Sequence, residues 1–589
     1  MKTTPDKHYR RPWREAFVRL VSFHCRTVFG LLAAFVVFGL LHYPLLRLPF
    51  YWDEAGYYIP AALDFFRSGR LVPFNTLPTG HTPLVIIYLA LAWRAFGFSP
   101  LVTRVAMMVV AMWTLVGVFA LGRRVANREI GCWSALLLAL SPLFFAQSTL
   151  AHLDLAAGLF TLLALSALLG GHPWRFALAS TCAVLSKETA VVLLPVAWTF
   201  SWRQHKRAAG SLPRPWWVAC LAPLVALVAW AGLYHHVTGF WTGNREYLHY
   251  NLFSTLNPVR AFLALLRRLY ETFVGGFNWL LWAGALAGVC WARRNKTGAA
   301  RESPIIPAKA GMANLGKCAV EGLEPRSWAS AGQAFRGKDC GGAARSESSE
   351  HPSASGPPPG VPVASQTGPG IVRRFLFLGG WLIVAYLVML SVVGGAVLPR
   401  YLLPVFPPLT LIAVILSWQL PRAAARSIMI FAAGCFVWAW FLNPPYPFPF
   451  EDNLAYADFV HLHEQAAQLL ETQAGNPRIL TAWPAADELA HPFLGYVRRP
   501  LNVVALQGFG HHEFEDVSPE SFDCLYLYSR RWDPTNNWLR RFPWWQRLQA
   551  RYFEYQPQVP ANELAARFHL RLLASFERRG QWVRIYVRE

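Results

Sequence analysis

The feature that most limits how this chain can fold is its succession of apolar runs, most of them long enough to cross a lipid bilayer and two, 174–187 and 189–202, short for one. The first, TVFGLLAAFVVFGLLHYPLL (27–46), spans about 20 residues, the length a helix needs for the hydrocarbon layer. Further runs lie at 105–122, 131–150, 153–171, 174–187, 189–202, 216–234, 275–291, 375–395, 401–420 and 427–442. About eleven spans are therefore expected. With 54% of the 589 residues hydrophobic and 15% charged, and a mean hydropathy of +0.27, the composition is that of a membrane protein. Basic residues precede the first run with no small-residue cleavage site behind it, so an uncleaved anchor with a cytoplasmic N-terminus (1–26) is expected.

One more stretch, TPLVIIYLALAWRAFGF (82–98), decides the topology. If it lies flat on the membrane, the clusters at 122–129, 202–210, 291–296, 373–374 and 421–426 all fall on the cytoplasmic side; if it spans, all flip outward. The excess of Lys and Arg in short cytoplasmic loops favours the flat helix within a first external loop (47–104). The net charge of +22 is then a topology signal with anionic lipid as its nearest partner, and no RNA-binding motif or basic face suggests nucleic acid.

The transmembrane part is read as 27–442. Residues 296–370 are rich in Gly, Ala, Ser and Pro and are expected to form a disordered cytoplasmic insert. NPPYPFPF (443–450) reads as a stiff linker to an external α/β domain (443–589). That domain shows helical patterns at 453–473 and 560–570, and strand patterns in RILTAW, LNVVAL, FDCLYLYS and a final hairpin turned at RRGQ. The nine cysteines form no CxxC pair and indicate neither a disulfide framework nor a zinc ribbon.

Acidic residues are scarce in the membrane part, and an ionisable group near the bilayer is by default a functional candidate. With 82–98 flat, Asp53, Glu54, His81, Arg104, His152, Asp154, Lys187, Glu188, Arg245, Arg400 and Tyr401 all fall at external span ends or in external loops. Converging on one cavity, the carboxylates would deprotonate a hydroxyl and the cations would hold a phosphate. Taken singly, each has a plainer reading: Asp154 as a helix cap, Lys187 and Glu188 as a charged turn, Arg400 as a snorkelling arginine. Their shared side is what the plainer readings leave unexplained.

The segments YWDEAGYYIPAALDFFRSG, TGHTPLVIIYLALAWRAFG with Arg104, LSPLFFAQSTLAHLDLAAGLFTLLAL, LSKETAVVLLP and PRYLLPVFPPL together resemble the GT-C glycosyltransferases. The likeness is to bacterial relatives of the protein O-mannosyltransferases and lipid A aminoarabinose transferases, and covers roughly residues 28–440. It implies a polytopic helical fold with juxtamembrane helices in the first external loop, a place in the bacterial inner membrane, and a periplasmic C-terminal domain. It also implies inverting transfer of a sugar from a polyprenyl-phosphate donor to a lipid, glycan or protein hydroxyl, with Asp53 as general base. Glu54 and Asp154 are the companion acids by motif position. Arg104, Lys187, Arg400 and Tyr401 match donor-phosphate positions, and His81, Glu188 and Arg245 are further substrate-binding candidates. The family's proline pair reads HTPL here, and the insert has no counterpart in its pattern.

No cofactor is implied: HLHE (461–464) and GHHEFED (510–516) are weak cation motifs, and no P-loop or dinucleotide fingerprint is present. The competing reading is a transporter or lipid flippase, which predicts mid-span charges and repeated halves. The aromatics Tyr51, Trp52, Tyr57 and Tyr58 are expected at headgroup level. The Trp- and Arg-rich stretch 530–556 either stacks on a glycan or rests on the membrane interface.

Overall fold

The computed structural model describes residues 30–76, 78, 80–206, 213–243, 245–301, 369–444, 447–534, 538–553 and 555–588. The expected N-terminal tail (1–26) and most of the insert (296–370) lie outside these residues. By its contacts the chain divides into two units, Met1–Arg293 with Thr367–Glu589, and Arg294–Gln366.

Helix α1 (30–42) is followed by the first loop, with α2 (Ile59–Ser68) and α3 (Leu84–Phe96). Then come α4 (Pro100–Val125), α5 (Arg128–Leu140), α6 (Pro142–Gln147), α7 (Leu153–Gly170), α8 (Pro173–Ser186), α9 (Leu193–Lys206), α10 (Arg214–Thr238) and the short α11 (Arg245–Leu248). Helices α12 (Pro258–Phe273), α13 (Asn278–Arg301), α14 (Pro369–Val392), α15 (Phe406–Ser417) and α16 (Arg422–Ala439) complete the helical part. Among the described residues, five helices are long and apolar enough to cross a membrane: α4, α7, α10, α14 and α16; the pair α12 and α13, bent by 44°, makes a sixth if taken as one span. The chain is thus multi-pass.

Local sequence explains the boundaries. The Ser99 side chain accepts the Val102 N–H with Pro100 in the first turn, and Asn127 likewise accepts from Ile130, so α4 and α5 start where a cap meets orphan backbone donors. The two cross closely because both contribute glycine: a Cβ on Gly122 would stand 2.7 Å from the Gly131 Cα, so any side chain would push the backbones apart. The run expected to be one span at 131–150 is broken. Ser141 is extended and Pro142, which lacks an N–H, starts the separate helix α6.

The C-terminal region follows the expected elements. Helix α17 (Ala455–Thr472), the short α18 (Ala485–Ala490), α19 (Pro543–Phe553) and α20 (Ala561–Phe568) accompany five strands. These are β1 (Ile479–Ala482), β2 (Val503–Leu506), β3 (Cys524–Tyr528), β4 (Leu570–Arg578) and β5 (Gln581–Arg588), in the order β2-β1-β3-β5-β4. Strand β1 pairs in parallel with β2 and β3, whereas β5 is antiparallel to β3 and β4. Every residue of the central β3 is buried, as a strand covered on both faces requires.

This sheet region is tied to the first loop. Phe50 donates its N–H to the Leu494 carbonyl at 3.1 Å, and the Tyr496 hydroxyl donates to the Phe50 carbonyl at 3.1 Å. The aromatics of this loop, expected at headgroup level, pack against the C-terminal region. Tyr51 is buried between Tyr456 and Phe459, with ring centroids 5.6 and 5.4 Å away, and Trp52 and Tyr57 both pack on Trp483.

Candidate active site

The site begins with the turn that leads into Asp53 and Glu54. Trp52 has φ +47°, a left-handed conformation uncommon for a bulky residue, and a wide helical turn Glu54–Tyr58 follows. As consecutive residues of a helical turn, about 100° apart around its axis, the two acids face different surroundings. Glu54 is fully buried: its carboxylate accepts from Arg104 Nη1 and from the Ala151 N–H, both at 2.5 Å, and from the Tyr51 N–H at 2.9 Å. Arg104 also donates to the Thr149 and Pro49 carbonyls at 3.0 and 2.8 Å. This buried pair staples the first loop to the segment leading into α7, and neither residue lines the cavity.

Asp53 does line it. The cavity, ≈ 520 Å³, lies between the first loop, the Lys187–Glu188 turn, the segment 390–401 and the C-terminal region. Asp53 is ion-paired with Arg400 Nη2. Arg400 is itself buried and stands at the hub of the site. Its Nη1 donates to Glu451 Oε2 at 2.8 Å and lies 3.0 Å from His152 Nε2, and its Nε is 3.7 Å from Asp154 Oδ2. Burial works against its charge, but Glu451 and Asp53 more than offset this and hold it as a guanidinium. His152 Nδ1 is 2.7 Å from Gln147 Oε1, which fits an Nδ1–H donor and leaves Nε2 to accept from Arg400. Burial, helped by Arg400, pushes the His152 pKa well down and keeps the ring neutral.

Beside this hub, Lys187 Nζ donates to Asp154 Oδ1 at 2.6 Å and stands 3.7 Å from the centre of the Tyr401 ring, a cation–π distance. Asp154 occupies the first turn of α7, where the helix dipole favours a carboxylate. His81 Nδ1 lies 3.1 Å from Glu188 Oε1. Burial would raise the Glu188 carboxyl, yet His81 and Lys187 outweigh it and bring it down to about 2.

Of the expected residues, Asp53, His81, Lys187, Glu188, Arg400 and Tyr401 line one cavity, and Asp154 supports it from behind. Arg104 and Glu54 are placed behind the first loop, and Arg245 is exposed on α11 and does not line the cavity. Sequence reasoning missed Glu451. It was counted within the region after a stiff linker, but PFPFED folds back so that Phe450 and Glu451 are buried, and the Glu451 carboxyl meets Arg400. Burial pushes that carboxyl up to about 7, with Arg400 opposing and Asp53 and Asp154 reinforcing the shift. Trp483 and Gln507 were also missed, and Arg530 opens the stretch 530–556 expected to stack on a glycan or rest on the interface. They form the cavity wall contributed by the C-terminal region, and the Arg530 guanidinium sits 5.9 Å from the Trp52 ring centre. A buried acid immediately after the last apolar run was the available signal for Glu451.

Chemically, this is a cavity with a carboxylate at its surface, two buried basic side chains behind it, and aromatic walls. Among the described residues, no three His, Cys, Asp or Glu side chains are grouped so as to hold a metal ion.

No known family profile matches the sequence, and no curated protein matches it. Among solved structures, the chain is similar to apo ArnT from Cupriavidus metallidurans, with 15% identity, TM-score 0.49, and 95% of this chain and 98% of that one covered. It is similar to the same protein bound to undecaprenyl phosphate, with 14% identity, TM-score 0.45, and 94% and 98% covered. It is also similar to an Archaeoglobus fulgidus oligosaccharyltransferase tethered to an acceptor peptide, with 10% identity, TM-score 0.41, and 85% and 69% covered.

Proposed function

We propose that the chain is a GT-C type glycosyltransferase that moves a sugar from a polyprenyl-phosphate donor to a hydroxyl acceptor at the periplasmic face of the inner membrane. The observation that carries this reading is the cavity in which Asp53, Arg400 and the Lys187–Asp154 pair meet. Asp53 takes the proton of the acceptor hydroxyl, and the acceptor oxygen bonds to the anomeric carbon. The bond from that carbon to the phosphate oxygen breaks, and the polyprenyl phosphate leaves with the electron pair. Attack opposite the leaving group inverts the anomeric centre. Lys187, with Tyr401 and His81, faces the developing phosphate charge, and Arg400 divides its donors between Asp53 and Glu451. Each cavity carboxylate already opposes a basic side chain, so no metal is assigned to the step.

In the proposed topology, about eleven helices cross the membrane. α3 lies flat in the first external loop, the N-terminus is cytoplasmic and the C-terminal α/β region is periplasmic. A reporter fused at residue 205 should then give a cytoplasmic signal; an external signal there would overturn the topology.

The activity is tested with purified protein, a polyprenyl-phosphate-linked sugar and a candidate acceptor. Expected is stoichiometric appearance of glycosylated acceptor and free polyprenyl phosphate by mass spectrometry. Movement of labelled lipid across proteoliposomes, with no sugar transfer to any acceptor of the lipid, glycan or protein classes, would instead support the flippase reading.

A further inference from the structure

Helix α12 is built inside out by the standards of a water-exposed helix. Arg260, Ala264, Arg268 and Thr272, four residues apart and so on one face, are buried, whereas Val259, Phe262, Leu266 and Leu269 on the other face are 47, 58, 48 and 37% exposed. A face of that kind turned to water would be costly, so its neighbour is hydrocarbon. Asn257 caps the helix by accepting the Val259 and Arg260 N–H groups, which fixes where this lipid-facing stripe begins.

Helix α19 is fastened to the first turn of α12. Arg260 Nε donates to the Tyr552 carbonyl at 2.9 Å, and the same guanidinium lies 5.6 Å from the Phe553 ring centre. The other end of the fork, Nη2, donates to the Gly395 carbonyl at 2.6 Å, next to Gly394 on the cavity wall. Between Trp538 and Phe553 the sequence has four arginines and no acid. No residue of α19 is buried. Its outer side presents Trp544, Arg547 and Arg551, at helical spacings that share a face, with Phe542 and Arg541 exposed just before it. Arg541, Arg547 and Arg551 have no carboxylate partner among the described residues.

We infer that α19 is a membrane-surface anchor of the C-terminal region: Phe542 and Trp544 enter the headgroup layer, and Arg541, Arg547 and Arg551 bind anionic lipid phosphates. Two observations carry this: the unopposed positive charge beside exposed aromatics, which matches an anionic interface, and the attachment to a helix whose apolar face requires lipid. Through Arg260, the same attachment runs to the loop at the cavity wall. Whatever its chemistry, the cavity is therefore built at headgroup depth.

The test uses full-length protein in nanodiscs of phosphatidylglycerol, or of phosphatidylcholine alone, with amide hydrogen exchange read over 538–553. Expected is exchange roughly tenfold slower with phosphatidylglycerol, reverting to the phosphatidylcholine rate in an R547E/R551E variant while exchange in β1, β3 and β5 is unchanged. These side chains are exposed, so the variant should fold; a W544A variant should lose part of the protection in both lipids. Equal exchange in the two lipids, or protection that rises with protein concentration and so marks a second copy on this face, would overturn the inference. The readout does not depend on sugar transfer, so it stands or falls separately from the proposed activity.

Discussion

Arg400 and Asp53 are ion-paired across 347 residues of sequence, joining the turn after the first helix to the turn before α15. Glu451, from the short turn Phe450–Asp452 that follows α16, occupies the other Arg400 nitrogen. Three chain segments thus meet at one guanidinium, and the first consequences to check concern which acids work in the cavity and which hold it together.

Glu54 is expected to be structural. Removing one partner of a buried ion pair leaves the other unsolvated and costs about 3–5 kcal/mol. Glu54→Ala should therefore lower the unfolding midpoint of the detergent-purified protein sharply. Glu54→Gln, which keeps acceptor capacity for the Ala151 and Tyr51 N–H groups, should lower it less. An unchanged midpoint in Glu54→Ala would show that the Arg104 pair does not hold the loop.

Lys187 is expected to act on the donor. Loss of one charge-assisted hydrogen bond to a phosphate is worth about 1.5–3 kcal/mol, so Lys187→Met should weaken binding of the donor lipid by roughly tenfold to a hundredfold. Because that change also strands Asp154, the double variant Lys187→Met/Asp154→Asn is the cleaner probe, and it should show the same loss. Unaltered donor binding in the double variant would place the phosphate elsewhere.

Glu451 should make donor binding depend on pH. Its carboxyl, raised from an ordinary 4.5 to about 7, keeps its proton below that value and loses it above. Ionisation adds a negative charge beside the proposed phosphate site. Affinity for the polyprenyl phosphate should accordingly fall about three- to tenfold as pH rises from 6 to 8, and Glu451→Gln should flatten that dependence. A flat profile in the unaltered protein, or an unchanged slope in Glu451→Gln, would contradict this role.

Gly56 and Trp483 should be coupled. A Cβ at Gly56 would run into the Trp483 indole, which packs on Trp52 and Tyr57. Gly56→Ala should loosen the C-terminal region from the first loop and speed limited proteolysis between them. Adding Trp483→Leu should restore part of the protection, giving a double-mutant interaction energy of about 0.5–3 kcal/mol. Strict additivity would mean that the two residues do not meet.

Much of this architecture was legible in the sequence because its determinants are local. Apolar length marked the helices, and alternation with turn residues marked the strands, down to the hairpin at Arg578–Gln581. Pro142 was visible as a helix starter, yet the run around it was hydrophobic enough to conceal the break. Helix α12 was not expected, since two of its arginines are buried and its apolar residues point outward, the reverse of the pattern that marks a soluble helix. In the site, Asp53, Lys187 and Arg400 stand out in the sequence because each is an ionisable residue beside an apolar run, and the structure brings all three to one cavity. Glu451, Trp483 and Arg530 come from a region whose position over the first loop depends on long-range packing, and no local spacing encodes it. The same reason separates Asp53 from Glu54: adjacent in sequence, they are told apart by their distant partners, Arg400 for Asp53 and Arg104 for Glu54.

The most direct measurement is single-turnover sugar transfer by Asp53→Asn, with donor-lipid binding measured on the same preparation. Asparagine is nearly isosteric with aspartate but cannot accept the hydroxyl proton. General-base catalysis contributes about 10²–10⁴-fold, so the transfer rate should fall by that order with donor binding retained. Transfer at the full rate with donor binding intact would contradict Asp53 as the base.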